Sequence, residues 1–198
     1  MTDPIVALAI FAFVSTASPG GATSLATASG AQFGFVRSLP LIGGIAATLA
    51  LLVAVSGTGL SAAILAVPSL EFGMKAVGTA YLLWLAYGIL KSGSPNKASV
   101  SDMKPIGFTG GAMLLIVNPK AWAMAVGVAG SFSSISDSPY ALAFIFGCVF
   151  AVAATLSLSI WTVIGTYLAK ILEADWQWHI FNLVMATLII LSIASFWI

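Results

Sequence analysis

Polar residues in this 198-residue chain are confined to narrow breaks between long apolar runs. No charge occurs from Pro4 to Val36, and Arg37 closes that run. A second run extends from Ser38 to Leu70 and ends at Glu71. The third, Phe72 to Leu90, has Lys75 near one end and Lys91 just past the other. A polar linker from Lys91 to Lys104 follows, with Lys97 and Asp102 inside it. The fourth run, Ile106 to Gly130, contains Lys120. A short loop, Ser131 to Ser138, holds Asp137. The fifth run is Tyr140 to Leu168, and Lys170, Glu173 and Asp175 separate it from the sixth, Trp176 to Ile198. About 20 apolar residues carry a helix across the hydrocarbon layer, so the pattern predicts six transmembrane helices. Strands are not expected, because the runs are continuous and much longer than the roughly ten-residue alternating strands of a lipid barrel. Trp176, Trp178 and Trp197 fall where an interfacial aromatic belt is expected.

Composition agrees with that pattern. Hydrophobic residues make up 60% and charged residues 7% of the chain, and mean hydropathy is +1.09. Soluble domains carry about 25% charged residues, so this surface must face lipid. The expected fold is all-α, a single transmembrane domain over residues 1–198. A net charge of +1 gives no basic patch for nucleic acid. The one cysteine, Cys148, cannot form an internal disulfide. The first residues lack a basic region, and the first apolar run exceeds a signal peptide's, which predicts a retained first helix. Arg37, Lys91, Lys97, Lys104 and Lys170 fall on one side of six spans, and Lys75 on the other. The positive-inside rule then places the five-residue side in the cytoplasm and both termini outside.

The linker, residues 93–104, divides the chain into halves 1–92 and 105–198, each of three spans. Related halves with an odd number of spans must be inverted. Ile45-Ala46-Ala47-Thr48-Leu49-Ala50-Leu51 resembles Val152-Ala153-Ala154-Thr155-Leu156-Ser157-Leu158, which favours such a 3+3 repeat. The first span of each half is interrupted, at Ser18-Pro19-Gly20-Gly21 and at Asn118-Pro119-Lys120. Proline removes a backbone donor and glycine loosens the chain. In lipid the freed groups need partners or a wet cavity. Paired interruptions in corresponding segments point to a transporter binding site. Packing kinks are the structural alternative for either break alone.

Three motif regions in order resemble the LysE/RhtB superfamily of amino-acid exporters. They are Ser18-Pro19-Gly20 with Gly30, Gly34, Phe35, Arg37 and Gly43-Gly44; Lys75-Ala76-Val77-Gly78-Thr79-Ala80-Tyr81-Leu82-Leu83; and Phe108 and Gly111 with Asn118-Pro119-Lys120-Ala121. The resemblance implies a secondary-active exporter of amino acids or similar small zwitterions in the bacterial inner membrane. Two departures bear on substrate. The family's first motif usually reads Pro-Gly-Pro followed by Asn or Asp, where this chain has Gly21 and Ala22. Its Pro-Gln-Phe is here Gly130-Ser131-Phe132.

The candidate substrate-binding residues are Ser18, Pro19, Gly20, Gly21, Thr23, Tyr81, Asn118, Pro119 and Lys120. A lysine at mid-span costs about 2.5–3.5 kcal/mol on insertion scales, and such residues usually face a cavity or partner. Lys120 is therefore expected on the path, meeting a substrate carboxylate; capping of carbonyls is the alternative. Asn118 is balanced between satisfying freed backbone and binding substrate. Ser18 and Thr23 are expected to bond the preceding helical turn. Tyr81 either lines the cavity or packs. Arg37 reads as a topology anchor and His179 as an interfacial side chain. Gly30 with Gly34, and Gly107 with Gly111, have the small-xxx-small spacing of close helix contacts; a homodimer is compatible with them. No span clusters metal ligands, and no Gly-rich nucleotide loop or paired nucleophile occurs, so neither a metal, a cofactor nor an enzyme is expected. No acidic residue lies deep in a span, which leaves proton coupling open. The competing readings are a carrier or channel for another solute such as a cation, and a non-transporting membrane subunit.

Overall fold

The computed structural model describes residues 3–58, 67–94 and 104–197. Every regular element among them is helical: α1 (Pro4–Ala17), α2 (Gly21–Ser56), α3 (Pro68–Lys91), α4 (Phe108–Ile116), α5 (Pro119–Phe132), a 3₁₀ turn (Ser133–Ile135), α6 (Pro139–Ile171) and α7 (Asp175–Trp197). Four helices (α1, α3, α5 and α6) open on a proline, whose fixed φ suits a first helical position and whose missing N–H is no loss there. Asp3 caps α1, its carboxylate accepting from the Ile5 N–H at 2.8 Å.

Among the described residues, α2, α3, α6 and α7 are each long and apolar enough to cross a membrane, and α4 with α5 forms a fifth such unit, bent by 68°. The chain is a multi-pass membrane protein. Large apolar side chains such as Val36, Leu51, Trp84, Phe144 and Leu191 are exposed around the bundle, as a lipid-facing surface requires.

The six expected spans do not map singly onto these helices. Only 14 residues long, α1 is short of a crossing, and α2 runs for 36 residues. Straight, α2 would be about 54 Å long. It is not straight: Gly34 has φ 77° and ψ 172°, a combination open essentially to glycine alone. The hydroxyls of Ser29 and Ser38 lie 2.8 Å apart, although nine residues of straight helix would separate them by about 13.5 Å. The chain therefore folds back at Gly34, three residues before the charge at Arg37 that was expected to mark the boundary. The second expected run, Ser38 to Leu70, is also too long. Helix α2 ends at Ser56, and Pro68 to Leu70 already belong to α3. Part of that run, residues 59–66, lies outside the described residues, as do linker residues 95–103, including Lys97 and Asp102, and the terminal Ile198.

At the centre of the bundle lies the first part of α2, where residues 23–32 are buried without interruption. This stretch carries Thr23, Ser24, Thr27, Ser29 and Gln32, a polar content that lipid would not accept but a protein interior can pair. Helix α2 packs most extensively on α6 and also receives α4 and α5; α1 packs on α6, and α3 on α7. Two crossings are close enough to need glycine on both sides. A Cβ at Gly30 would collide with the Thr162 carbonyl, and one at Gly165 with the Thr27 carbonyl. Likewise a Cβ at Gly44 would strike the Phe108 carbonyl, and one at Gly111 the backbone at Leu41. Each expected glycine pair thus supplies one contact. Gly34 forms the reversal and Gly107 precedes α4, with no neighbour within 4 Å of a Cβ at either.

One belt residue is misplaced by the sequence pattern. Trp176 and Trp197 are exposed, but Trp178 is buried against Ala31 and Phe181, its indole N–H donating to the Leu172 carbonyl at 2.9 Å. An indole turned inward keeps its donor paired by closing the end of α6.

Candidate functional site

Both chain interruptions open on one cavity of about 130 Å³, room for several waters or a small solute. Ser18, Pro19, Gly20, Gly21 and Thr23 reach it from the first break, and Asn118 and Lys120 from the second.

How each break disposes of its backbone groups determines what the cavity presents. Ending α1 at Ala17 would orphan its last four carbonyls. All four are paired. The Ser18 N–H donates to Val14 at 3.0 Å and the Ser18 hydroxyl to Ser15 at 2.8 Å. From α6, the Ser157 hydroxyl donates to Thr16 at 2.7 Å and the Trp161 indole to Ala17 at 3.0 Å. Ser18 thus bonds the preceding turn as expected, whereas Thr23 closes the break itself. Its hydroxyl accepts from the Gly20 N–H at 2.8 Å and donates to the Gly20 carbonyl at 3.0 Å.

The amides at the start of α2 are treated differently. Those of Gly21 and Ala22 have no acceptor among the described residues, and both residues line the cavity. They stand at the positive end of a helix dipole. At the second break the amides are satisfied. The Asn118 side-chain oxygen accepts from the Lys120 N–H at 3.0 Å, and the Asn118 carbonyl accepts from Ala121 at 3.0 Å. Trp122 donates its indole N–H to the Ile116 carbonyl at 2.9 Å. Asn118 therefore satisfies backbone with its oxygen and leaves its NH₂ group free of protein partners among the described residues.

Lys120 is exposed on the cavity wall. It has no acidic partner among the described residues, where the ion pair present is Lys75 with Glu71 at 2.8 Å. The cavity accordingly offers donors from both breaks: two free amides, an ammonium and a side-chain NH₂. That set matches an anionic group such as a carboxylate. Gly20 leaves room for it. A Cβ there would meet nothing within 4 Å, and its φ of 179° is ordinary extended backbone.

The remaining candidates lie elsewhere. Pro119 is buried behind the second break and is not on the cavity wall. Tyr81 is also absent from the wall; its hydroxyl donates to the Gly110 carbonyl at 2.8 Å, tying α3 to α4, and its ring stacks on Trp84. Arg37 is exposed just past the reversal, its guanidinium 5.5 Å from the Phe33 ring centre, and His179 is exposed near the start of α7. The sequence pattern did not single out Ser15, Thr16, Ser192 or Phe196, which complete the wall. The two similar seven-residue segments mark wall positions: Ile45 and Leu49 come from one, Ala154 and Leu158 from the other.

Residues 13–196 match the family described as LysE type translocator. No curated protein and no solved structure matches the chain.

Proposed function

Because the chain belongs to the LysE type translocator family, a family of transporters rather than enzymes that moves small solutes across a membrane, we propose that it is a secondary-active exporter of amino acids or related small zwitterions in the bacterial inner membrane. Transport proceeds by alternating access around the cavity where the two broken helices meet. In this reading α1 and the part of α2 before Gly34 make the first crossing, and the rest of α2 the second. With α3, the bent α4–α5 pair, α6 and α7, the count is six, in two inverted halves with both termini outside. The packing supports that symmetry: α3 pairs with α7, and each broken unit packs on the middle helix of the other half.

The observation that carries the proposal is the ammonium and the free amides that the two breaks bring to the cavity, beside uncharged hydroxyl oxygens of Thr16, Ser18 and Ser192. The carbonyls at the end of α1 are capped by the protein, while these amides and Lys120 are left for a ligand. A cation carrier would be expected to turn carboxylate oxygens inward; the one charged side chain on the described wall is the Lys120 ammonium, which disfavours that alternative.

The test is export from cells fed dipeptides, with each amino acid in the medium followed over time. Expression of the protein should speed the loss of at least one amino acid severalfold over cells lacking it. Equal efflux of every amino acid with and without the protein would overturn the proposal.

A further inference from the structure

A second cavity, of about 220 Å³, lies on the linker side of the bundle, between the first part of α2, the end of α3, Lys104 and Asn182 of α7. It is in register with the first. Gly21, Leu25, Ser29 and Gln32 recur at intervals of four, four and three residues and so share one face of α2. That face borders the first cavity at Gly21 and the second at Ser29 and Gln32, about 16 Å further along the helix. Leu25 itself lines the second cavity; the buried Leu82 packs beside Gly21, and Leu85, one turn on, lines the second cavity too.

This cavity differs from the first in having side-chain amides on its wall. Gln32 is 9% exposed and Asn182 4%. The Gln32 NH₂ donates to the Ser92 carbonyl at 3.5 Å and the Asn182 NH₂ to the Gly93 carbonyl at 3.1 Å. Neither side-chain oxygen has a donor among the described residues. No buried side-chain nitrogen or oxygen among those residues lacks a partner, so both oxygens are accessible, and both residues line the cavity. Ser29 adds a third acceptor. Ser38 gives its proton to the Gly34 carbonyl at 2.8 Å, so Ser29 donates to Ser38 and keeps lone pairs free. Three acceptors, with no acidic side chain among the described lining residues, suit an ammonium group, and Lys104 on the same wall supplies the charge a carboxylate needs.

We infer that this cavity is a second substrate site, which loads a zwitterion by its ammonium end on the linker side before the molecule passes along the α2 face to the carboxylate-binding cavity. The inference rests on the transport reading above. Its test uses everted membrane vesicles and a panel of radiolabelled protein amino acids, with KM and kcat measured for each one the wild type takes up. Gln32→Met should raise KM at least about tenfold and leave kcat within about twofold, since a charged donor loses its acceptor. Gln32→Glu keeps an acceptor but, like Met, cannot donate to Ser92; its KM should stay within about threefold of wild type. Equal KM rises in both variants would show that Gln32 only tethers Ser92, and an unchanged KM in Gln32→Met would equally overturn the inference. Should Gln32→Met fail to insert, Asn182→Leu against Asn182→Asp carries the same contrast. Wild-type vesicles that take up no amino acid would instead defeat the transport reading, and the second site with it.

Discussion

Lys120→Met is expected to cut export at least about tenfold, because the ammonium is the only full charge that the described residues bring to the first cavity and a charge-assisted hydrogen bond contributes about 1.5–3 kcal/mol. The fold should survive. Lys120 is exposed on the wall, has no acid partner among the described residues, and its backbone N–H is held by Asn118 whatever side chain follows. A substitution of that kind usually changes stability by less than about 0.5 kcal/mol. The readout is therefore export rate beside the yield and melting temperature of the purified protein. Unchanged export in a well-inserted Lys120→Met protein would remove the lysine from the path. Lys120→Arg, which keeps the charge on a longer and planar head, should retain part of the activity.

Gly165→Leu should have the opposite profile: loss of the folded protein rather than loss of transport alone. The crossing of α2 and α6 is reciprocal, Gly30 against the Thr162 carbonyl and Gly165 against the Thr27 carbonyl. Both obstacles are backbone, so no side chain can swing away. Even a Cβ forces the helices apart, and the separation strips Gly30 of its contact as well. Overpacking typically costs about 1–3 kcal/mol; a clash with main chain at the most buried helix of the bundle belongs at or beyond the top of that range. Gly127→Leu is the control, since Gly127 lies within α5 with nothing within 4 Å of a Cβ. Size-exclusion profiles in detergent should show Gly127→Leu monodisperse and Gly165→Leu aggregated or absent. A monodisperse Gly165→Leu with wild-type melting would contradict the packing described here.

What the amino-acid sequence made legible was local chemistry. Long uncharged runs announced the lipid-facing helices, because burying charge in hydrocarbon is costly wherever it occurs. Both interruptions were legible for the same reason: proline and glycine act on their own backbone, so Ser18-Pro19-Gly20-Gly21 and Asn118-Pro119-Lys120 mark breaks without knowledge of neighbours. Relations across the fold were not legible. Gly34 reverses the chain with neither a proline nor a charge to announce it, and Arg37 drew the boundary three residues late. Nothing in the run around Trp161 or Ser157 indicates that these side chains cap carbonyls of α1, more than a hundred residues earlier. Trp178 looked like a belt residue because periodicity does not reveal which tryptophan of a cluster faces inward. Tyr81 falls in a motif of the family resemblance, yet its hydroxyl is committed to the Gly110 carbonyl.

Passage of a solute through the cavity between the two breaks is most directly probed at Gly20. Gly20 borders that cavity, its φ is open to any residue, and a side chain there would project into space free of protein atoms. In a Cys148→Ser background, which removes the chain's one native thiol, Gly20→Cys should keep a measurable part of the wild-type export. Reaction of the introduced thiol with a small methanethiosulfonate reagent should then stop export, and the exported amino acid should slow the reaction by occupying the same space. Undiminished export by Gly20→Cys protein whose introduced thiol is completely modified would contradict the account.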